Sequence, residues 1–260
     1  MRDLAAMTAP VAQPAVRLVT TSSPSRSHFG GVPGLPEGVE WPERSGRPLD
    51  FLARLSLAEL QAAQSLPWLP PVGALLFFYD CEDQPWGFEP ADRSGWRVLL
   101  VPDLPQPVAD GPTGPVAAHR PAAFKPIASR PSPEHRAFPA KDLTDEEFSA
   151  YQVTLDASFG SGPRHQVGGY PRPIQGDSMD LECQLVSHGL NCGNGEAYAS
   201  AQGKELAAGA SDWRLLLQLD TDEAALGQMW GDDGTIYFWI PERAARAGDF
   251  DKTWLVLQCY

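Results

Sequence analysis

A chain of 260 residues, 43% hydrophobic and 20% charged, has an ordinary globular composition and enough length to bury about 70–75% of its unfolded surface. Its formal net charge of −13 repels phosphate backbones, whose binding needs clustered Lys and Arg, so nucleic-acid partners are excluded. Nowhere do about 18 apolar residues run together as a membrane span requires, residues 1–19 have no signal-peptide core, and four scattered cysteines (Cys81, Cys183, Cys192, Cys259) make no disulfide framework, so a cytoplasmic protein with free thiols and no membrane partner is expected.

The 26 prolines, about double the usual share, argue against long helices and for turns, edges and extended segments. Residues 1–27 contain one β-like run, 15–21, and are expected to be an N-terminal arm or an edge strand. Gly30, Gly31, Pro33, Gly34 and Pro36, followed by Trp41 and Pro42, specify an ordered loop. Residues 49–55 (LDFLARL) are nearly all apolar, which predicts a strand covered on both faces. Ser56 and Glu59 have capping-box spacing at the start of a short helix that Pro67 ends. Residues 75–79 (LLFFY) and 96–101 (WRVLLV) complete a first β-rich unit, 28–101.

From Pro102 to Pro139 there are ten prolines and no sustained period, which predicts an extended surface connector, 102–142. Thr144 and Glu147 form a second capping box, with Phe148, Tyr151 and Leu155 at helical spacing behind it, so a helix over 145–155 is expected. The remainder of 143–260 repeats the first unit in order. Gly168-Gly169-Tyr170-Pro171 answers Gly30-Gly31-Val32-Pro33, and 213–219 (WRLLLQL) answers LDFLARL. Thr221-Asp222-Glu223 is expected to open a short helix, 234–240 (GTIYFWI) answers 73–79 (GALLFFY), and 254–259 answers 96–101. The expected fold is therefore α+β and β-rich, two related halves produced by internal duplication, with 28–260 forming one compact domain.

Several of these segments also resemble the YwqG-like family of bacterial proteins of unknown function. The resemblance rests on Gly168-Gly169-Tyr170-Pro171 with Ile174-Gln175-Gly176-Asp177, on 179–185 (MDLECQL), on 212–220 (DWRLLLQLD) and on Trp230-Gly231-Asp232-Asp233-Gly234. Gly30-Gly31, Pro33, Leu35-Pro36 and Trp41-Pro42 carry it in the first half, so it spans roughly residues 28–260. Arg54 stands where the family pattern often has a Gln matching Gln218. The resemblance implies an α+β fold and a bacterial, cytosolic setting, and it brings no catalytic residues.

Candidate site residues follow from side-chain chemistry. Trp230, Asp232 and Asp233 form a dense aromatic and acidic group, although Asp-Gly before an apolar strand is foremost a turn signal. Gln175, Asp177 and Gln218 could read a ligand by hydrogen bonds or pin loops by bonding backbone groups. Cys183, His188 and Cys192, with His165 upstream, lack the tight pair usual in zinc sites, so no metal is expected. No nucleophile elbow, phosphate loop, dinucleotide fingerprint or metalloprotease motif occurs, so no catalytic residue is assigned and no cofactor is expected. The expectation is a non-catalytic binding protein that neutralises or escorts a partner with a basic surface, using the seam between the halves. The alternative is a small-ligand binder or a hydrolase-type enzyme at that seam, with Asp177 or Asp232 as general base and His165 as proton partner.

Overall fold

The computed structural model describes residues 2–103 and 117–260. In chain order they form α1 (Leu4–Thr8), β1 (Gln13–Thr20), β2 (His28–Phe29), β3 (Glu43–Arg44), β4 (Arg47–Pro48), β5 (Asp50–Ser56), α2 (Leu57–Ala63), β6 (Ala74–Tyr79), β7 (Trp96–Val101) and β8 (Arg120–Ser129). There follow α3 (Asp145–Ala157), β9 (Gln166–Val167), α4 (Met179–Val186), α5 (Glu196–Ala199), α6 (Ala201–Leu206), β10 (Trp213–Asp220), β11 (Thr235–Pro241), α7 (Glu242–Ala247) and β12 (Trp254–Gln258). The protein is thus β-rich with short helices. Ten strands make one sheet, ordered β12-β11-β10-β9-β1-β8-β2-β5-β6-β7, while β3 and β4 pair separately as a small hairpin. Neighbours in the sheet are antiparallel.

The sheet curls until its ends meet around one core. Phe77 on β6 and Phe238 on β11 touch edge to face at 5.2 Å, and Trp96 on β7 meets Trp254 on β12 at 5.0 Å. Burying each such phenylalanine contributes roughly 1.5–3 kcal/mol. Trp96 Nε1 donates to Thr253 O at 3.0 Å, and Trp254 Nε1 donates to Gly87 O at 2.8 Å, so both indoles are satisfied where the ends join. The loop 85–88 lies along β12, whose Leu257 N donates to Trp86 O at 3.0 Å. Gly87 permits that approach: it has φ +84°, and a Cβ there would lie 1.8 Å from Leu255 O. The opposite face of β5 and β6 is covered by the loop carrying Trp41, which packs on Phe78 and donates from Nε1 to Leu49 O. Hence LDFLARL is buried on both faces, as its composition requires.

Outward from the central β1–β8 pair, the order is β9, β10, β11, β12 on one side and β2, β5, β6, β7 on the other. Register repeats as well. β5 bulges between Phe51 and Ala53, β10 between Leu215 and Leu217, and the residue after each bulge faces Phe77 or Phe238. Arg54 lies opposite His28, and Gln218 opposite Gln166. Trp96 faces Tyr79 while Trp254 faces Trp239, so by register from Phe77 and Phe238 the two tryptophans stand one position out of correspondence.

Three expectations change. β1 is no edge or loose arm but a central strand, paired with β8 over eight residues and with β9 on its other side. The span 102–142 is not simply connector, because β8 runs through it. Pro126 is tolerated there because Ala122 N donates to Ser27 O, which places the nitrogens of even-numbered residues on the β2 side, and β2 pairs only with Arg120 and Pro121. After Thr221 there is a turn instead of a helix: Asp222 Oδ1 accepts from Ala224 N and Ala225 N at 3.1 and 2.9 Å, and Asp222 bridges to Gln228. The helix after Thr144 forms with both capping-box bonds and extends to Ala157. Part of the expected connector, 104–116, lies outside the described residues.

Candidate functional site

The polar residues of the second half stand in a row across the sheet, and the loop 164–176 is laid over them. Gln166 Nε2 donates to Gly168 O at 2.6 Å and to Tyr170 O at 2.8 Å. Opposite it, Gln218, fully buried, accepts from Arg172 N at 2.9 Å and donates to Arg164 O at 2.6 Å. Next in the row, Tyr237 donates to Arg172 O at 2.7 Å, and burial pushes its hydroxyl pKa well up. Gln258 on β12 accepts from Ile174 N and Gln175 N and donates to Gly176 O at 3.0 Å. Both ends of Gln218 and Gln258 are therefore committed to the protein's own backbone, and Gln218 is a pin for the loop.

Gln175 is exposed and bound only through its backbone amide to Gln258. Asp177 accepts the Ser132 hydroxyl at 2.7 Å, tying the segment after β8 to the loop before α4. Burial raises its carboxyl pKa to about 7; Asp180 and Glu134 push it further up, while the Ser132 hydrogen bond and Arg136 pull it down. Asp180 in turn is ion-paired with Arg136. His165 is buried elsewhere. Its Nδ1 accepts from Asp220 N at 3.2 Å, which leaves Nε2 to donate to Asp222 Oδ2 at 3.1 Å. No hydrogen bond joins Asp177, Asp232 and His165 among the described residues, so the acid–base set expected for a hydrolase is not assembled.

Trp230 is wholly buried against Tyr79, 5.8 Å between ring centres, and its Nε1 has no hydrogen-bond partner among the described residues. Asp232 and Asp233 are exposed in the turn that follows, where Gly231 and Asp233 have φ of +51°. This turn is clamped to the first half by Gln84, whose Oε1 accepts from Gly231 N at 2.8 Å while Nε2 donates to Met229 O at 3.0 Å. Trp86, two residues beyond Gln84, is 41% exposed and Met229 is 44% exposed. The two segments that this clamp joins thus carry an exposed indole, an exposed thioether, and Asp232 and Asp233, which make no ion pair among the described residues. Glu82 and Asp83, near the same loop, are paired with Arg47, and Asp83 also with Arg44.

All four cysteines are free. Burial raises the Cys183 and Cys192 thiols above their usual range, and His188 is engaged through Nδ1 with Gln184 O. Among the described residues no group of three or more His, Cys, Asp or Glu is placed to hold a metal ion. No helix among them is long and apolar enough to cross a membrane.

Trp86, Gln84 and Gln258 are the residues sequence reasoning missed. Gln258 carried a signal, a lone amide inside an apolar strand, whereas the role of Gln84 depends on a contact 147 positions away. Residues 27–259 match a family model described as a domain of unknown function, DUF1963. The chain belongs to the DUF1963 family. No curated protein matches it. The match takes in β2 to β12, strands of both sides of the sheet, and begins after β1.

Proposed function

We propose that this DUF1963 protein is a non-catalytic interaction protein of YwqG-like type that docks a basic protein surface on the seam between its halves. The observation that carries the reading is that Gln84 clamps its own segment to that of Met229 and Gly231, where Trp86 and Met229 are exposed and Asp232 and Asp233 make no ion pair among the described residues. An aromatic anchor with an acidic rim suits a partner bearing Lys or Arg, and the net charge of −13 would steer such a partner in. The alternative of a small-ligand or hydrolytic site at the seam loses support because Gln218 and Gln258 are each bonded at both ends to the protein's own backbone. A cytoplasmic setting belongs to the proposal, since four free thiols fit a reducing compartment.

The proposal includes an internal duplication with its first strands exchanged. In each half the strand order by sequence would be a first strand, then β2-β5-β6-β7 or β9-β10-β11-β12. Yet β1, which precedes β2, pairs with β9, and β8, which precedes β9, pairs with β2. Each half therefore completes its sheet with the other's first strand, which makes the seam a permanent feature.

The test is affinity capture of the tagged protein from its native lysate beside a Trp86→Ala, Asp232→Asn, Asp233→Asn variant. Asn keeps the turn at Asp233, where φ is positive, and removes only charge. A stoichiometric basic partner, released by salt and lost from the variant, supports the reading. Equal capture by both proteins, or nothing above background, overturns it. Trp230→Ala is unsuitable here because it would open a cavity in the core.

A further inference from the structure

A groove of about 480 Å³ lies between the C-terminal end of α4, the start of β10 and α7, and two segments distant in sequence build its floor. Gly209 comes so close to Gln184 that a Cβ there would sit 2.3 Å from its Nε2, so glycine leaves the amide its place. Gln184 Oε1 then accepts from Trp213 Nε1 at 2.8 Å and fixes the indole. Ala244 and Ala247, three residues apart on α7, contribute only methyl groups and keep that wall low.

The rim gathers basic side chains on an acidic molecule. Three basic side chains, His188, Arg243 and Lys252, line the groove against one acid, Asp249, on a chain of net charge −13. Arg243 is committed to Asp212 at 3.2 Å, whereas Lys252 makes no ion pair among the described residues. His188 donates from Nδ1 to Gln184 O at 2.7 Å, so the backbone leaves its Nε2 unused. The volume falls in the range of small-molecule sites, which combine an apolar body with a few polar groups.

We propose that this groove binds a small carboxylate with an apolar body, the body lying against Ala244, Ala247 and the small part of Trp213 that reaches the groove, and the carboxylate at Lys252, with His188 Nε2 as second donor when protonated. This site does not depend on the seam reading. Isothermal titration of the full chain with naphthoate and with naphthalenemethanol, which share a ring system and differ in charge, tests it. Naphthoate is expected to bind one to one and about tenfold more tightly than the alcohol, as a charge-assisted hydrogen bond predicts. Lys252→Gln should erase that difference, and Ala247→Trp, at an exposed position, should fill the groove and abolish binding of both, each variant melting as wild type does. Binding of neither compound, equal binding of acid and alcohol to the wild type, or naphthoate binding unaltered by Ala247→Trp would overturn the proposal.

Discussion

Asp177, which accepts the Ser132 hydroxyl, carries a titration that folding shifts. Its carboxylate is half-buried near Asp180 and Glu134 with Arg136 as the offsetting charge, and its pKa rises to about 7 from an unfolded value near 3.8. The folded state therefore holds the proton more tightly than the unfolded one. That contribution is fully present below the unfolded value and is lost as pH rises through about 7. Asp177→Asn keeps an acceptor for Ser132 and lacks the titration, so it should gain roughly 1–3 kcal/mol relative to wild type at pH 8 and almost nothing at pH 4, read from urea melts. A gain that is equal at both pH values would show that burial of the charge is not the cause. Gln218→Leu should act in the opposite sense. It strands Arg172 N and Arg164 O under the loop, and a loss of about 3 kcal/mol is expected at any pH. Both roles were half legible in sequence: the loop-pinning reading of Gln218 is right, but which backbone groups it pins depends on the fold.

At the scale of elements, the strands were legible where burial dictates composition, as in LDFLARL, LLFFY and GTIYFWI, and the α3 capping box was legible because it is local. β8 was not, because ten prolines without a sustained period read as an extended connector, and the pairing that leaves Pro126 opposite Val16 of β1 but unpaired on the β2 side is non-local. α4 and α7 were missed for a related reason: eight and six residues are too short to display a period, and packing holds them. The loop 85–88 gives the clearest test at this scale. Gly87→Ala forces a side chain into Leu255 O at positive φ, so it should cost at least about 3 kcal/mol and loosen the cover on β12. Hydrogen exchange of the Leu257 amide should speed up more than that of Leu217 in the same variant. Equal changes at both would mean that the loop does not guard the edge.

For the whole molecule, the proposed exchange of first strands makes a claim about how the halves behave. If β1 completes the second half and β8 the first, cutting the chain between β7 and β8 leaves each piece holding a strand that belongs in the other's sheet. The β1–β8 ladder, eight residue pairs long, then joins the pieces along with the Phe77–Phe238 and Trp96–Trp254 contacts. Burial on this scale far exceeds what a linker contributes, since closing a loop changes by only about 0.6 kcal/mol for each doubling of its length. A protease site placed within residues 104–116 and cleaved in the folded protein should therefore leave one species on gel filtration, with a melting temperature within a few degrees of the intact chain. The pieces should separate only in denaturant and recover together when it is removed. Separation under native conditions would mean that each half is complete in itself, and both the exchange and the permanence of the seam would fall with it.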